Sequence, residues 1–405
     1  MIAQQMGIES VNPKTIERWS AYLEELHTRI AHHFLRPEVR ERAYRYLSGL
    51  LADVGRKNSW QMAEAICEVT PRGVQHLLND ARWDPHAVRD DLREYVVEHL
   101  GDEKSGVLVV DETGFLKKGE KSVGVARQYT GTAGKKENCQ VGVFLCYASK
   151  EGGAAFIDRA LYLPKEWTND PRRLSEAGVP EGVGFATKGE LAKRMLQRAF
   201  EADVPARWVV ADTVYGMTRG LRGWLEKRER SYVLVVTSSK SVYHEDRQRR
   251  VGEVSRSLPE ESWVRASAGK GTKGERLYDW ACVALPESGM YRESLRAGRW
   301  LLMRRSIAEP EEKIAYYLCY GPAQTTVNEL IGIAGRRWVI EDCFEAAKGE
   351  VGLDEYEVRK WDGWHRHVTL CLMAHAYLAV VRSAAQDEED AAKKGPSTRA
   401  SSILS

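Results

Sequence analysis

Paired cysteines, long apolar runs and a strong net charge are all missing from this chain. Its seven cysteines are an odd number scattered without CxxC spacing. That argues against a secreted disulfide framework and against a structural zinc site, and leaves buried reduced thiols. No basic and apolar leader opens the sequence and no apolar run approaches roughly eighteen residues, so the chain reads as a cytoplasmic protein with no membrane partner. The stretch Gly131 to Lys136 lacks the following helix and the lysine-serine pair of a P-loop, which predicts a hairpin turn and no nucleotide cofactor. The formal charge is only +2, so any nucleic-acid surface has to come from local clusters. Such clusters exist at Lys117-Lys118, Lys135-Lys136, Arg247 with Arg249-Arg250, the glycine-spaced Lys270, Lys273 and Arg276, and Arg304-Arg305.

A chain of 405 residues buries a core easily and has room for two or three domains. Residues 1–104 are polar and helical in pattern, with no convincing strand before Val107. Within them, Trp60 to Leu78 holds two short apolar-periodic segments around Val69-Thr70-Pro71. Thr70 can cap and Pro71 can start the second helix, which permits a helix-turn-helix with Arg72, Gln75 and His76 able to reach base edges; plain helical packing is the alternative.

From 105 to 237 the order reads strand, strand, strand, helix, strand, helix, strand. The second and third strands fall near Ser122 to Tyr129 and Cys139 to Tyr147, and a helix covers Lys188 to Ala202. Residues 238–322 form a second strand-rich block in which Trp263, Trp280 and Trp300 are core residues or stacking faces for an unpaired base. Residues 323–382 return to helix. There His365 and His367, two apart, point to different faces and cannot easily share a metal. Residues 383–405 lack the apolar surface to order themselves and read as a disordered tail.

Three carboxylates stand out. Asp111 follows the apolar run Val107 to Val110 and Asp212 follows Trp208 to Ala211, each reading as a strand end, where ligands gather in α/β sheets. Each acid could equally cap a turn or the next helix. Glu341 lies on a helical segment with Arg337 and Lys348. At about 100° per residue, offsets of four and eleven bring these side chains within roughly 40° of one another, so an acid sits between two cations. Glu345 shares the stripe as a rival ligand.

Asp111, Asp212 and the run Arg337, Glu341, Lys348 resemble the DDE transposases of bacterial insertion sequences, within the group that has a tyrosine, arginine, glutamate, lysine signature. The tyrosine is absent, its place being Ala334. The likeness runs from about Val107 to Val381 and includes Gly349 to Arg359. It implies an α/β fold: a ribonuclease-H-like mixed sheet with helices, interrupted by a β-rich insertion that approaches the transposon end, after an all-helical DNA-binding domain. It favours Glu341 over Glu345 and implies that Asp111, Asp212 and Glu341 are catalytic and hold two Mg²⁺ ions, which Mn²⁺ can replace. Arg337, Lys348, Arg72, Gln75, Lys270 and Lys273 are then the DNA-binding residues. The implied partners are double-stranded DNA, as transposon ends and target, and a second copy of the chain in the DNA complex.

Two other classes fit the sequence: a ribonuclease-H-like nuclease without strand transfer, and a non-catalytic DNA-binding relative. The full ligand set speaks against the second. The helical domain and the β insertion suit recognition of specific ends better than general degradation.

Overall fold

The computed structural model describes residues 13–149, 153–271, 274–286, 297–310 and 313–394. The described residues up to Leu100 are helical, at Pro13–Ile30, Pro37–Leu51, Ser59–Ala65, Arg72–Asn79 and Pro85–Leu100, with no strand among them or before Val107. Ser59–Ala65 is capped by Asn58, whose side chain accepts from the N–H groups of Trp60 and Gln61. Thr70 does not cap the next helix. Pro71 itself occupies the N-cap in the right-handed region, without a side-chain bond. Between the two helices Cys67 turns the chain at φ 59°, a left-handed conformation that lets the Glu68 N–H return to the Ala63 carbonyl at 2.8 Å.

Among the described residues twelve strands follow: β1 (Val107–Leu116), β2 (Ala126–Thr130), β3 (Lys135–Ala148), β4 (Ala154–Tyr162), β5 (Trp208–Ala211), β6 (Ser231–Val236), β7 (Ser241–His244), β8 (Arg247–Arg250), β9 (Val264–Gly271), β10 (Gly274–Ala284), β11 (Ala297–Arg305) and β12 (Ile314–Pro322). Ten of them make one mixed sheet in the order β2-β3-β1-β5-β6-β12-β11-β10-β9, with β4 on the far half of β3. β1, β5 and β6 are parallel to one another, whereas β3 and β12 flank them antiparallel. This is the mixed α/β sheet that the ribonuclease-H resemblance implies. The turn between β2 and β3 is the hairpin anticipated at Gly131 to Lys136.

Three readings change. β1 does not end at Asp111: it runs on to Leu116, opposite Cys139 of β3, and after the half-buried Asp111 and Glu112 its residues Thr113, Gly114 and Phe115 are buried again. β4 has no counterpart in the predicted order, since Asp158 and Arg159 break its apolar pattern. Both are buried, with Asp158 held by Arg89 at 3.0 Å and Arg198 at 2.9 Å. The strand-rich block after β6 is not set apart from the catalytic sheet but extends it, through the antiparallel pairing of β12 with β6 from Tyr316 opposite Val236 to Tyr320 opposite Tyr232.

The long helix Trp361–Lys394 runs past Val381 and carries ordered backbone through residues 383–394, where the sequence suggests a disordered tail. Residues 395–405 lie outside the described part. By length and composition this helix could cross a membrane, yet most of its apolar stretch is buried inside the protein. It lies between the N-terminal helices and β4. Helical region and sheet thereby share one hydrophobic core. His365 and His367 are buried in it: His367 Nδ1 meets the Tyr46 hydroxyl at 2.9 Å and His365 Nδ1 lies 2.9 Å from the Trp361 carbonyl. Both pack inside the core.

Candidate active site

The parallel ladder between β1 and β5 ends with Val110 opposite Ala211, and the next residue on each strand is an acid. Asp212 leaves the sheet as the N-cap of the turn Thr213–Gly216, its Oδ1 accepting from the Val214 N–H at 2.9 Å. Capping and membership of the site are therefore compatible at this residue. Asp111 stays in β1, paired only on the β3 side, opposite Phe144.

Asp111, Glu112 and Asp212 each offer a carboxylate oxygen, and the three atoms lie within 4.8 Å of one another. Glu112 was not anticipated. Its adjacency to Asp111 was the available signal, but strand alternation sends neighbouring side chains to opposite faces. Here Lys188, at the start of the helix Lys188–Glu201, donates to Glu112 Oε1 at 2.7 Å, and the Tyr215 hydroxyl donates to Oε2 at 2.6 Å. Both oxygens of Glu112 are thus held from the side of β5 and the helix.

Gathering acids in a half-dry place costs free energy. Burial, and then the Asp212 and Glu112 charges, push the Asp111 carboxyl up to about 8, against the pull of the Glu112 N–H and Arg337. Burial and then Glu112 raise Asp212 to about 6. Burial, followed by the Glu112 carboxylate, lifts the Tyr215 phenol well above its ordinary range and keeps it a donor.

The predicted polar stripe begins in a 3-10 turn, Arg336–Trp338, and continues in the helix Val339–Gly349. It lies along β1. Arg337 reaches Glu341 Oε1 at 2.6 Å and Asp111 Oδ2 at 4.0 Å, while Lys348 donates to Thr113 Oγ1 at 2.8 Å. Thr113 is two residues past Asp111 and so faces the same side of the strand. Burial lowers the Lys348 ammonium from its ordinary value, which favours a partner rich in negative charge.

Among the described residues Glu341 is linked to Asp111 through Arg337. Its side chain is 50% exposed and it stands outside the group of three close carboxylates, as does the exposed Glu345. Ala334, where the signature has tyrosine, is fully buried in the helix Val327–Gly335, which packs against β9. Arg72 and Gln75 are exposed on the helix Arg72–Asn79 and Lys270 is exposed on β9, elsewhere in the fold; Lys273 lies outside the described residues. Trp280 is buried, its indole N–H on the Ala266 carbonyl at 3.2 Å.

The donor set suits a hard divalent cation. Carboxylate oxygens are the ligands such ions prefer, and an ion among them removes the repulsion that keeps Asp111 and Asp212 protonated so far up the pH scale. Asp111 and Asp212, with Glu112 beside them, offer the oxygens that could hold such an ion.

A mixed sheet carrying acids just past its central parallel ladder is the arrangement implied by the resemblance to DDE enzymes. Residues 29–258 match the family model described as DDE superfamily endonuclease, and residues 186–377 match one described as Transposase DDE domain. The first match takes in more than half of the sequence, and the chain belongs to the DDE superfamily of endonucleases. Over 262 residues it is 27% identical to a protein of Microchaete diplosiphon named as the probable transposase for insertion sequence element IS701. That alignment covers 62% of this chain and 65% of the relative, less than two thirds of the relative's length.

Proposed function

We propose that this chain is a transposase that recognises the terminal inverted repeats of an insertion sequence, cuts the DNA there and joins the freed ends to target DNA. The observation that carries this reading is the meeting of Asp111 and Asp212 just past the last rung of one parallel ladder, with Arg337 of the neighbouring 3-10 turn and Lys348 of the helix after it beside them. Bound Mg²⁺ would supply Lewis-acid activation of an attacking water or 3′ hydroxyl and charge for the leaving oxygen.

The side chains divide the remaining work. Asp111 and Asp212 would hold the cations, with Glu341 as the third ligand once its carboxylate leaves Arg337. That departure frees the Arg337 guanidinium for a phosphate oxygen, where a fork of donors stabilises charge developing on phosphorus. Lys348 exchanges Thr113 for a second phosphate oxygen. Glu112, fixed by Lys188 and Tyr215, keeps the end of the ladder in place. Arg72, Gln75, Lys270 and Lys273 contact the duplex away from the chemistry, two copies act on paired ends, and the enzyme works in the cytoplasm on nucleoid DNA.

The test is incubation of the purified protein with Mg²⁺ and DNA carrying the flanks of its own gene, beside Glu341→Gln and Asp212→Asn, with the 3′ ends mapped. Cuts at the flank boundaries that both substitutions remove support the proposal. Scattered cuts point to a nuclease, and binding without cutting points to a DNA-binding relative.

A further inference from the structure

A second cluster of metal-binding side chains lies in the N-terminal helices. His32, His33 and Asp91 each offer one donor atom, and the three atoms lie within 4.8 Å of one another. The histidines are consecutive residues of the 3-10 turn Ala31–His33, which ends the helix Pro13–Ile30, and Asp91 is on the helix Pro85–Leu100. We propose that these three residues form a site for one borderline divalent transition-metal ion, Zn²⁺ above all, that fastens the end of the first helix to the last helix before the sheet.

Donor chemistry chooses the ion. Two imidazoles and one carboxylate suit Zn²⁺, whereas Mg²⁺ prefers oxygen throughout, so this site and the acidic cluster select different metals. The spacing also fits. With zinc bonds of roughly 2.0–2.1 Å, tetrahedral donors stand roughly 3.3 Å apart. His33 Nε2 and Asp91 Oδ2 are already at 2.9 Å, so a small separation admits the ion. The His32 ring lies 3.9 Å from the His33 ring, tilted by 41°, and brings the third donor. Because His32 is exposed, water completes the fourth position.

The backbone under the donors is braced. Arg40 donates from Nε to the Ala31 carbonyl at 3.0 Å and from Nη2 to the Phe34 carbonyl at 3.3 Å, one on each side of the histidine pair. Ile30 and Phe34 before and after the pair, and Leu92 after Asp91, are fully buried. Ligands carried on anchored elements need little rearrangement to bind.

The experiment uses untagged full-length protein carrying Asp111→Asn and Asp212→Asn, so that the acidic cluster cannot take up the metal. Zn²⁺ is titrated by calorimetry, and Co²⁺ is added as a spectroscopic probe. We expect one Zn²⁺ per chain, a visible tetrahedral Co²⁺ spectrum and no response to Mg²⁺. The melting temperature should rise by roughly 3–5 °C at a hundredfold excess over Kd. His32→Ala leaves the His33–Asp91 pair and the fold intact, and should weaken Zn²⁺ binding at least tenfold. Absence of stoichiometric binding in the parent, or undiminished binding by His32→Ala, overturns the assignment. Neither result bears on DNA cleavage.

Discussion

Asp111 and Asp212 are the first residues beyond the rung in which Val110 faces Ala211, so the end of a single parallel ladder brings their carboxylates together. Because the strands supporting both are buried, neither acid can relax far from the other, and the pair's behaviour in the absence of metal follows.

The Asp111 carboxyl is raised to about 8 in the fold, above an unfolded value near 3.9. The folded chain therefore holds this proton more tightly than the unfolded chain does. The associated stability is complete below about pH 4 and is lost as pH rises through about 8. Asp111→Asn removes the titration, and in EDTA it should stabilise the protein at pH 8 by at least about 1 kcal/mol while changing little at pH 4. Thermal unfolding across that range is the measurement. A variant less stable than the parent at pH 8 would contradict the site's electrostatics.

Cation binding must compete with the same protons. Since Asp111 rises to about 8 and Asp212 to about 6, Mg²⁺ or Mn²⁺ should raise the melting temperature more at pH 8 than at pH 6, with affinity falling about tenfold per unit for each proton displaced. Equal shifts at the two pH values would mean that the ion binds elsewhere.

Tyr215→Phe takes one donor from a carboxylate that has two. A hydrogen bond to a charged group contributes about 1.5–3 kcal/mol, so the unfolding free energy from a denaturant titration should fall by an amount of that order. If it does not move, Lys188 alone suffices to fix Glu112.

Arg337 bridges Glu341 and Asp111 and is proposed to pass to phosphate. Arg337→Ala should slow single-turnover cleavage about 10²-fold or more, with end binding largely retained in a gel shift. Removing this cation should also raise the Asp111 carboxyl further, moving the acidic limb of the cleavage profile, where the rate falls as the carboxyl takes up its proton, to higher pH. A variant that fails to bind DNA instead would place Arg337 in recognition.

Local patterning made much of this legible. The apolar runs before Asp111 and Asp212 marked the central strands, and the 3.6-residue period from Arg337 to Lys348 marked the stripe that lies along β1. What stayed hidden depends on partners far away in sequence. β4 conceals itself because Asp158 and Arg159 sit in its middle, tolerable only with Arg89 and Arg198 in place. Glu112 joins the acids through Lys188, 76 residues on, and Tyr215, 103 residues on. The pairing of β12 with β6 spans the whole insertion, and nothing in either strand names the other.

That last pairing has a mechanical side. Hydrogen bonds run rung to rung from β9, which carries Lys270, through β10, β11, β12 and β6 to β5, which leads into Asp212. Along this path the described strands form one continuous sheet, with a register shift between Glu275 and Leu277; the sheet is a ruler with Lys270 near one end and a mark at the acids. If the proposed function holds and a duplex touches both, it must conform to that span, so the bending would fall to the DNA, whose deformable steps would then help decide which sequences are cut.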